Sequence, residues 1–191
     1  MEGGRSAEVS ARFFVGDRRA LLSMGLFEPT ALRPRIGDVT AGLLRELGAR
    51  AVLLDVDNTI ATYTSHEPAA GAVEWARGLT EAGFRVVIVS NNYKRRVAPF
   101  AARFGVEFIS FAVKPLPFGY IRAAKMLGLR CRDCVIIGDQ IFTDVTGANM
   151  CGMKSVLLEP IEPEEGWTFR VRRYFERGLR QKFKSREDVI K

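Results

Sequence analysis

Long apolar runs are missing from this chain of 191 residues. No stretch approaches the roughly 18 uninterrupted apolar residues that a membrane-spanning helix needs, which excludes an integral helical membrane protein. Cysteine is scarce as well: three in a chain of this length make no disulfide framework and suit a reducing cytoplasm. Histidine occurs once, as His66, so zinc binding through paired histidines has no basis. Glu2, Arg5 and Glu8 precede any apolar run, unlike a secretory signal, and a cytoplasmic protein is expected. Low-complexity segments and internal repeats are absent too. With 47% hydrophobic and 27% charged residues, the composition is that of a globular chain rather than a disordered or collagen-like one.

The formal charge of +7 is unevenly spread. Between Trp167 and Lys191, nine Lys/Arg face three acids, so this stretch carries +6 of the total. Val171, Tyr174, Phe175, Leu179 and Phe183 recur there at helical spacing, while Arg172, Arg173, Arg177 and Arg180 fill other faces. Two readings stand. The stretch is a C-terminal helix laying its apolar stripe on the core, or a basic amphipathic segment that meets anionic lipid headgroups peripherally at the inner face of the membrane. Nucleic-acid binding is not favoured, because no recognised module for it is present.

From residue 51 the rhythm is strand, helix, strand, helix. Apolar runs at 51–55, 85–90, 107–111, 134–138 and 155–159 read as buried strands, and amphipathic stretches at 69–81, 95–104, 117–127 and 143–151 read as helices. A further helix is expected over 40–47, stopped by Gly48. Pro29 and Pro34 make 26–38 an extended connection. This alternation predicts an α/β fold, a parallel sheet with helices on both faces.

In such a sheet ligands bind beyond the carboxyl ends of the strands. The first run ends in Asp55-Val56-Asp57-Asn58-Thr59 and the second in Ser90-Asn91-Asn92. The third is followed by Lys114-Pro115, and the fourth by Gly138-Asp139 with Thr143-Asp144. Several carboxylates on one rim repel one another and call for a counter-charge. A hard divalent cation such as Mg²⁺ supplies it, taking carboxylates together with substrate phosphate. Lysine, serine and helix-start N–H groups suit phosphate oxygens. An aspartate can act as covalent nucleophile, and a second acid two residues along as general acid and base.

In their order these residues resemble the four motifs of the haloacid dehalogenase (HAD) phosphatase superfamily, over roughly residues 50–160. More narrowly they are similar to the YqeG-like HAD phosphatases of subfamily IIIA, as is the lead-in from Leu26 to Gly48. The resemblance implies an HAD-like core over 26–165 without a cap domain, preceded by a lead-in at 1–25 and followed by the basic tail at 166–191. It implies Asp55 as nucleophile and metal ligand, and Asp57 as acid/base with its backbone carbonyl on the metal. Thr59, Ser90, Asn91 and Lys114 would bind phosphate, and Asp139 with Asp144 would complete the Mg²⁺ site. Because the YqeG-like group is similar to phosphatidylglycerophosphate phosphatases, that lipid is the substrate expected first. The alternatives are a soluble sugar or nucleotide phosphate, or a noncatalytic protein that binds nucleic acid or a ribosome through its tail. The gaps between motifs fit the capless expectation, since neither could house a cap of about 50 residues. Cys131-x-x-Cys134 is read as structural, Cys134 opening a strand, and His66 as a surface residue of the flap after Thr59.

Overall fold

The computed structural model describes residues 25–162 and 176–183. Six strands form one sheet: β1 (Ala31–Arg33), β2 (Ala51–Leu54), β3 (Arg85–Val89), β4 (Glu107–Ile109), β5 (Cys134–Gly138) and β6 (Lys154–Leu158). Their order is β1-β6-β5-β2-β3-β4, and every pairing is parallel. The helices are α1 (Ala41–Glu46), α2 (Ala72–Glu81), α3 (Lys94–Phe104), α4 (Phe118–Met126) and α5 (Thr146–Met150), with a sixth helical segment, α6, at residues 176–183.

The continuous apolar runs become strands because both faces of the sheet are covered. Val52, Leu54, Ile88, Val135 and Ile137 face one layer, packing with Leu44, Leu79, Val97 and Phe100 of α1–α3. Their alternates Ala51, Leu53, Val87, Val89 and Ile136 face the other, against Tyr120, Ala123 and Ala124 of α4 and Ala148 of α5. Each fully buried aliphatic side chain contributes about 1.5–3 kcal/mol over its exposed state. A third, smaller cluster joins Ile141, Val145 and Leu157 to Phe183, with Leu32 and Leu179 packed on it. The Leu179 and Phe183 end of the basic stretch therefore lies on the core, while Val171, Tyr174 and Phe175 fall outside the described residues.

Two elements differ from the expectation. Within the predicted extended connection lies β1, which pairs with β6 at the sheet edge and is too short, between Pro29 and Pro34, to show a period. The helix expected over 143–151 begins instead as a π-helical turn at Ile141–Val145, and only Thr146–Met150 is α-helical. Among the described residues no cap domain is inserted: a flap and α2 separate β2 from β3, and α3 alone separates β3 from β4. No described helix is long and apolar enough to cross a membrane.

Candidate active site

The carboxyl ends of β2, β3 and β5, with the loop after β4, bring the four motifs to one rim. Beyond Leu54 the ladder runs one step further, Asp55 N–H donating to the Ile137 carbonyl at 3.0 Å, so Asp55 leaves the sheet on a fixed backbone. The chain then turns tightly, the N–H groups of Thr59, Ile60 and Ala61 all donating to the Val56 carbonyl. Asn58 takes φ 59° there, a left-handed conformation that asparagine tolerates. Its side chain donates to the Glu162 carbonyl at 3.1 Å, tying the turn to the segment after β6.

Lys114 organises the centre. Its Nζ lies 2.6 Å from Asp55 Oδ1 and 2.7 Å from Asp144 Oδ1, all three side chains being buried. Asp55, Asp139 and Asp144 each offer a carboxylate oxygen, and the three oxygens lie within 4.8 Å of one another. Burial pushes the Asp55 carboxyl well above its ordinary range; Lys114 opposes this, and Asp144 and Asp139 add to it. Burial alone would depress Lys114, but Asp144 and Asp55 outweigh it and hold the ammonium well above its ordinary value. Three carboxylates against one ammonium leave an excess of negative charge at a hard-oxygen donor set, which fits a divalent cation such as Mg²⁺.

The π-helical turn shapes the β5 side. Asp144 Oδ2 accepts from Gln140 N–H at 3.2 Å, folding its carboxylate back over the strand end. Gly138 makes room for it: a Cβ there would stand 2.3 Å from Asp144 Cγ. Tyr120 OH donates to the Thr143 carbonyl at 2.9 Å from below, and burial holds that phenol far above its ordinary range.

Asp57 is held apart from the carboxylate cluster. Its Oδ2 accepts from Asn92 Nδ2 at 2.8 Å and its Oδ1 from Arg96 Nη2 at 3.0 Å. Arg96 also donates to the Thr62 and Ser65 carbonyls of the flap and lies over the Phe100 ring. One guanidinium thus fixes Asp57, the flap and α3 together. Across the site, Gln140 Nε2 donates to Tyr63 OH at 3.0 Å, pinning the flap on its other side.

Ser90 is buried at the end of β3, its Oγ accepting from Asn92 N–H. Asn91, expected at the phosphate, brackets the backbone of Lys114: Oδ1 accepts from Lys114 N–H at 2.6 Å and Nδ2 donates to the Lys114 carbonyl at 3.0 Å. Through these two bonds it helps to place the lysine. Thr59 Oγ1 is buried with no hydrogen-bond partner among the described residues.

The sequence reading missed three groups. Arg96 stood unremarked in the run Lys94-Arg95-Arg96; the signal was its i, i+4 relation to Phe100 on the buried face of α3. Glu176 and Arg180 were counted as charges of the tail. Glu176 is fully buried and its Oε1 accepts from Ile141 N–H at 3.0 Å and from Phe142 N–H at 3.4 Å. Arg180 donates to the Asp139 carbonyl and, at 2.9 Å, to that of Leu158. Helix α6 therefore grips both ends of the segment that begins at Asp139. The lone acid early in a basic run was the available clue.

His66 is exposed on the flap, and the three cysteines are free thiols. Burial pushes the Cys134 thiol up to about 11 and that of Cys151 to about 12, the behaviour of packed thiols rather than reactive ones.

The haloacid dehalogenase-like hydrolase family matches residues 5–152. The chain is 35% identical over 153 residues to the "Probable phosphatase YqeG" of Bacillus subtilis (strain 168), covering 80% of this chain and 89% of that one. Among solved structures, an uncharacterised protein from Listeria monocytogenes serotype 4b superposes with a TM-score of 0.51 at 17% identity, over 61% of this chain and 84% of the other. A HAD family hydrolase from Deinococcus radiodurans R1, solved with bound phosphate and sodium, gives 0.50 at 20% identity, over 63% and 86%. These two likenesses speak for the fold. Family match, relative and fold agree: the chain belongs to the haloacid dehalogenase-like hydrolases, as a YqeG-like phosphatase.

Proposed function

We propose that the protein is a Mg²⁺-dependent phosphomonoester hydrolase that works through a phosphorylated Asp55. The observation that carries this reading is Lys114 Nζ set between Asp55 and Asp144, with Asp139 completing the group of three carboxylates. Asp55, Asp139 and Asp144 would hold the cation, which when bound offsets their charge and polarises the phosphoryl oxygens.

In this mechanism an Asp55 carboxylate oxygen attacks phosphorus, a new P–O bond forms, and the bond from phosphorus to the ester oxygen breaks. Asp57 protonates that leaving oxygen. Asp57 then takes a proton from water as the water oxygen attacks phosphorus, the bond to Asp55 breaks, and phosphate leaves with Asp55 restored. Lys114 steadies the phosphoryl oxygens as a compact cation, and the Ser90 and Thr59 hydroxyls supply hydrogen bonds. Arg96 and Asn92 set the direction from which Asp57 delivers its proton.

For substrate, a lipid phosphomonoester is proposed, phosphatidylglycerophosphate first. A mouth over which the described residues place no cap, leaving room for a bulky or membrane-bound phosphate, supports it, as does the surplus of basic residues near the C-terminus. The test is phosphate release from phosphatidylglycerophosphate in mixed vesicles with Mg²⁺, beside a soluble aryl phosphate, for wild type and Asp55→Asn. Release from both by wild type and from neither by the variant is expected. Cleavage of the aryl phosphate alone would move the substrate to soluble phosphomonoesters, and activity surviving in Asp55→Asn would overturn the mechanism.

A further inference from the structure

The loops leaving β3 and β4 deliver polar groups inward and, between them, hold large apolar side chains out in water. Tyr93 is 63% exposed, Phe111 64%, Val113 46%, Leu116 43% and Phe118 70%. In the same stretch Ser90, Ala112, Lys114 and Tyr120 are buried. Singly exposed apolar residues are ordinary; four on two adjoining loops and a fifth at the start of α4, beside one site, are not. The Tyr93 and Phe111 rings stack with centroids 6.1 Å apart, joining the loops. The backbone holds this display in place. Phe111 and Val113 have φ of 50° and 57°, uncommon for a bulky side chain and a marked outlier for a β-branched one.

The stretch of sequence that carries this rim is strongly basic. Between residues 82 and 132 the sequence has ten Lys/Arg and one acid, Glu107. Lys94 and Arg95 are exposed beside Tyr93, with the Arg95 guanidinium 6.0 Å from its ring centroid. Arg122 and Lys125 are exposed at i+4 and i+7 from Phe118, on the same face of α4. Aromatic side chains flanked by cations match the boundary between headgroups and acyl chains in an anionic bilayer.

We infer that the rim formed by Tyr93, Phe111, Val113, Leu116 and Phe118 docks on an anionic lipid surface, with Lys114 behind it at the depth of the phosphate headgroups. The inference rests on the phosphatase reading for its purpose, but its geometry is independent of the C-terminal basic stretch.

The test is co-sedimentation of the full chain with vesicles of phosphatidylcholine alone or with about 30% phosphatidylglycerol, a fraction giving a strongly negative surface. Wild type is compared with the pair Phe111→Ser/Phe118→Ser and the pair Lys94→Gln/Lys125→Gln, and hydrolysis of a soluble aryl phosphate is followed in parallel. Wild type should bind the anionic vesicles. The Ser pair should bind at least about tenfold more weakly, a difference well outside error in such titrations. The Gln pair should lose chiefly the preference for anionic vesicles, and all three should cleave the aryl phosphate alike. Failure of wild type to bind, or undiminished binding by the Ser pair, would overturn the inference. So would a concentration-dependent dimer that the Ser pair dissociates in the absence of vesicle binding. Rim-dependent binding without aryl phosphate cleavage would leave the docking surface standing and remove the phosphatase reading instead.

Discussion

The two halves of the rim are built in opposite ways. Over β2 and β5 the chain buries three carboxylates and meets them with a lysine reaching across from the β4 loop, two backbone grips from α6 and a glycine that makes room for Asp144. Over β3 and β4 it spends backbone strain to keep apolar side chains in water. The first half crowds carboxylates whose mutual repulsion a bound cation would relieve. The second half stores exposed apolar surface that only something outside the molecule can cover. The two roles share the loops after β3 and β4, where Lys114 lies between Val113 and Leu116 and Asn92 beside Tyr93, but they use different side chains, and substitutions can separate them.

The sharpest cut between the halves is Asp55→Asn, expected to lower aryl phosphate turnover by about 10⁴-fold or more, in the range seen on removing catalytic nucleophiles, while vesicle binding persists. Asp139→Asn should raise the Mg²⁺ concentration for half-maximal rate by about 10–100-fold. The same variant should melt higher than wild type in chelator, since one of three crowded carboxylates is gone; a lower melting point there would argue against stored repulsion. Next comes Arg96→Ala, for which steady-state kinetics should show kcat down about 10–100-fold with KM nearly unchanged, because the loss falls on how Asp57 is aimed. A rise in KM alone would reassign Arg96 to substrate binding.

Smaller again is Glu176→Ala, expected to cost about 1–3 kcal/mol in denaturant titration through one buried and one half-buried N–H group left without their acceptor. The Mg²⁺ concentration for half-maximal rate should rise several-fold with it, because the Asp139 segment is freed. Least in size is a pH effect. The Asp55 carboxyl is raised in the folded protein, so the fold favours its protonated form and loses stability as pH rises through that value. A cation must displace that proton, so the Mg²⁺-induced rise in Tm should be larger at about pH 8 than at about pH 5.

Much of this was legible in the residues themselves. Strands buried on both faces announce themselves as unbroken apolar runs, which is why β2, β3 and β5 fall where the sequence places them. Asp55, Lys114, Asp139 and Asp144 were legible because strand ends in a parallel sheet converge, so motifs far apart in sequence had one place to meet. Arg96 and Glu176 were hidden for a common reason: a charge reads as solvent-facing until its partners, here an aspartate 39 residues away and two backbone amides about as distant, are known. The exposed rim escaped for the inverse reason. Phe111 and Phe118 read as core until the backbone around them is seen to turn them outward. Charge, too, balanced over residues 1–166 as a whole, which concealed the basic block at 82–132.

Asn91 sits where the β3–β4 ladder has run out at Val89 and Ile109, and its amide pairs with Lys114 as a peptide group would. Together with the bonds from Ala112 N–H to the Ser90 carbonyl and from Phe111 N–H to that of Asn92, it sews the two loops into one panel. For protein engineering that panel is a cassette. Grafting 110–118 from a relative without its matching 90–93 would import a new rim but unstitch the lysine behind it, so specificity in this scaffold has to be exchanged as a pair of loops or left alone.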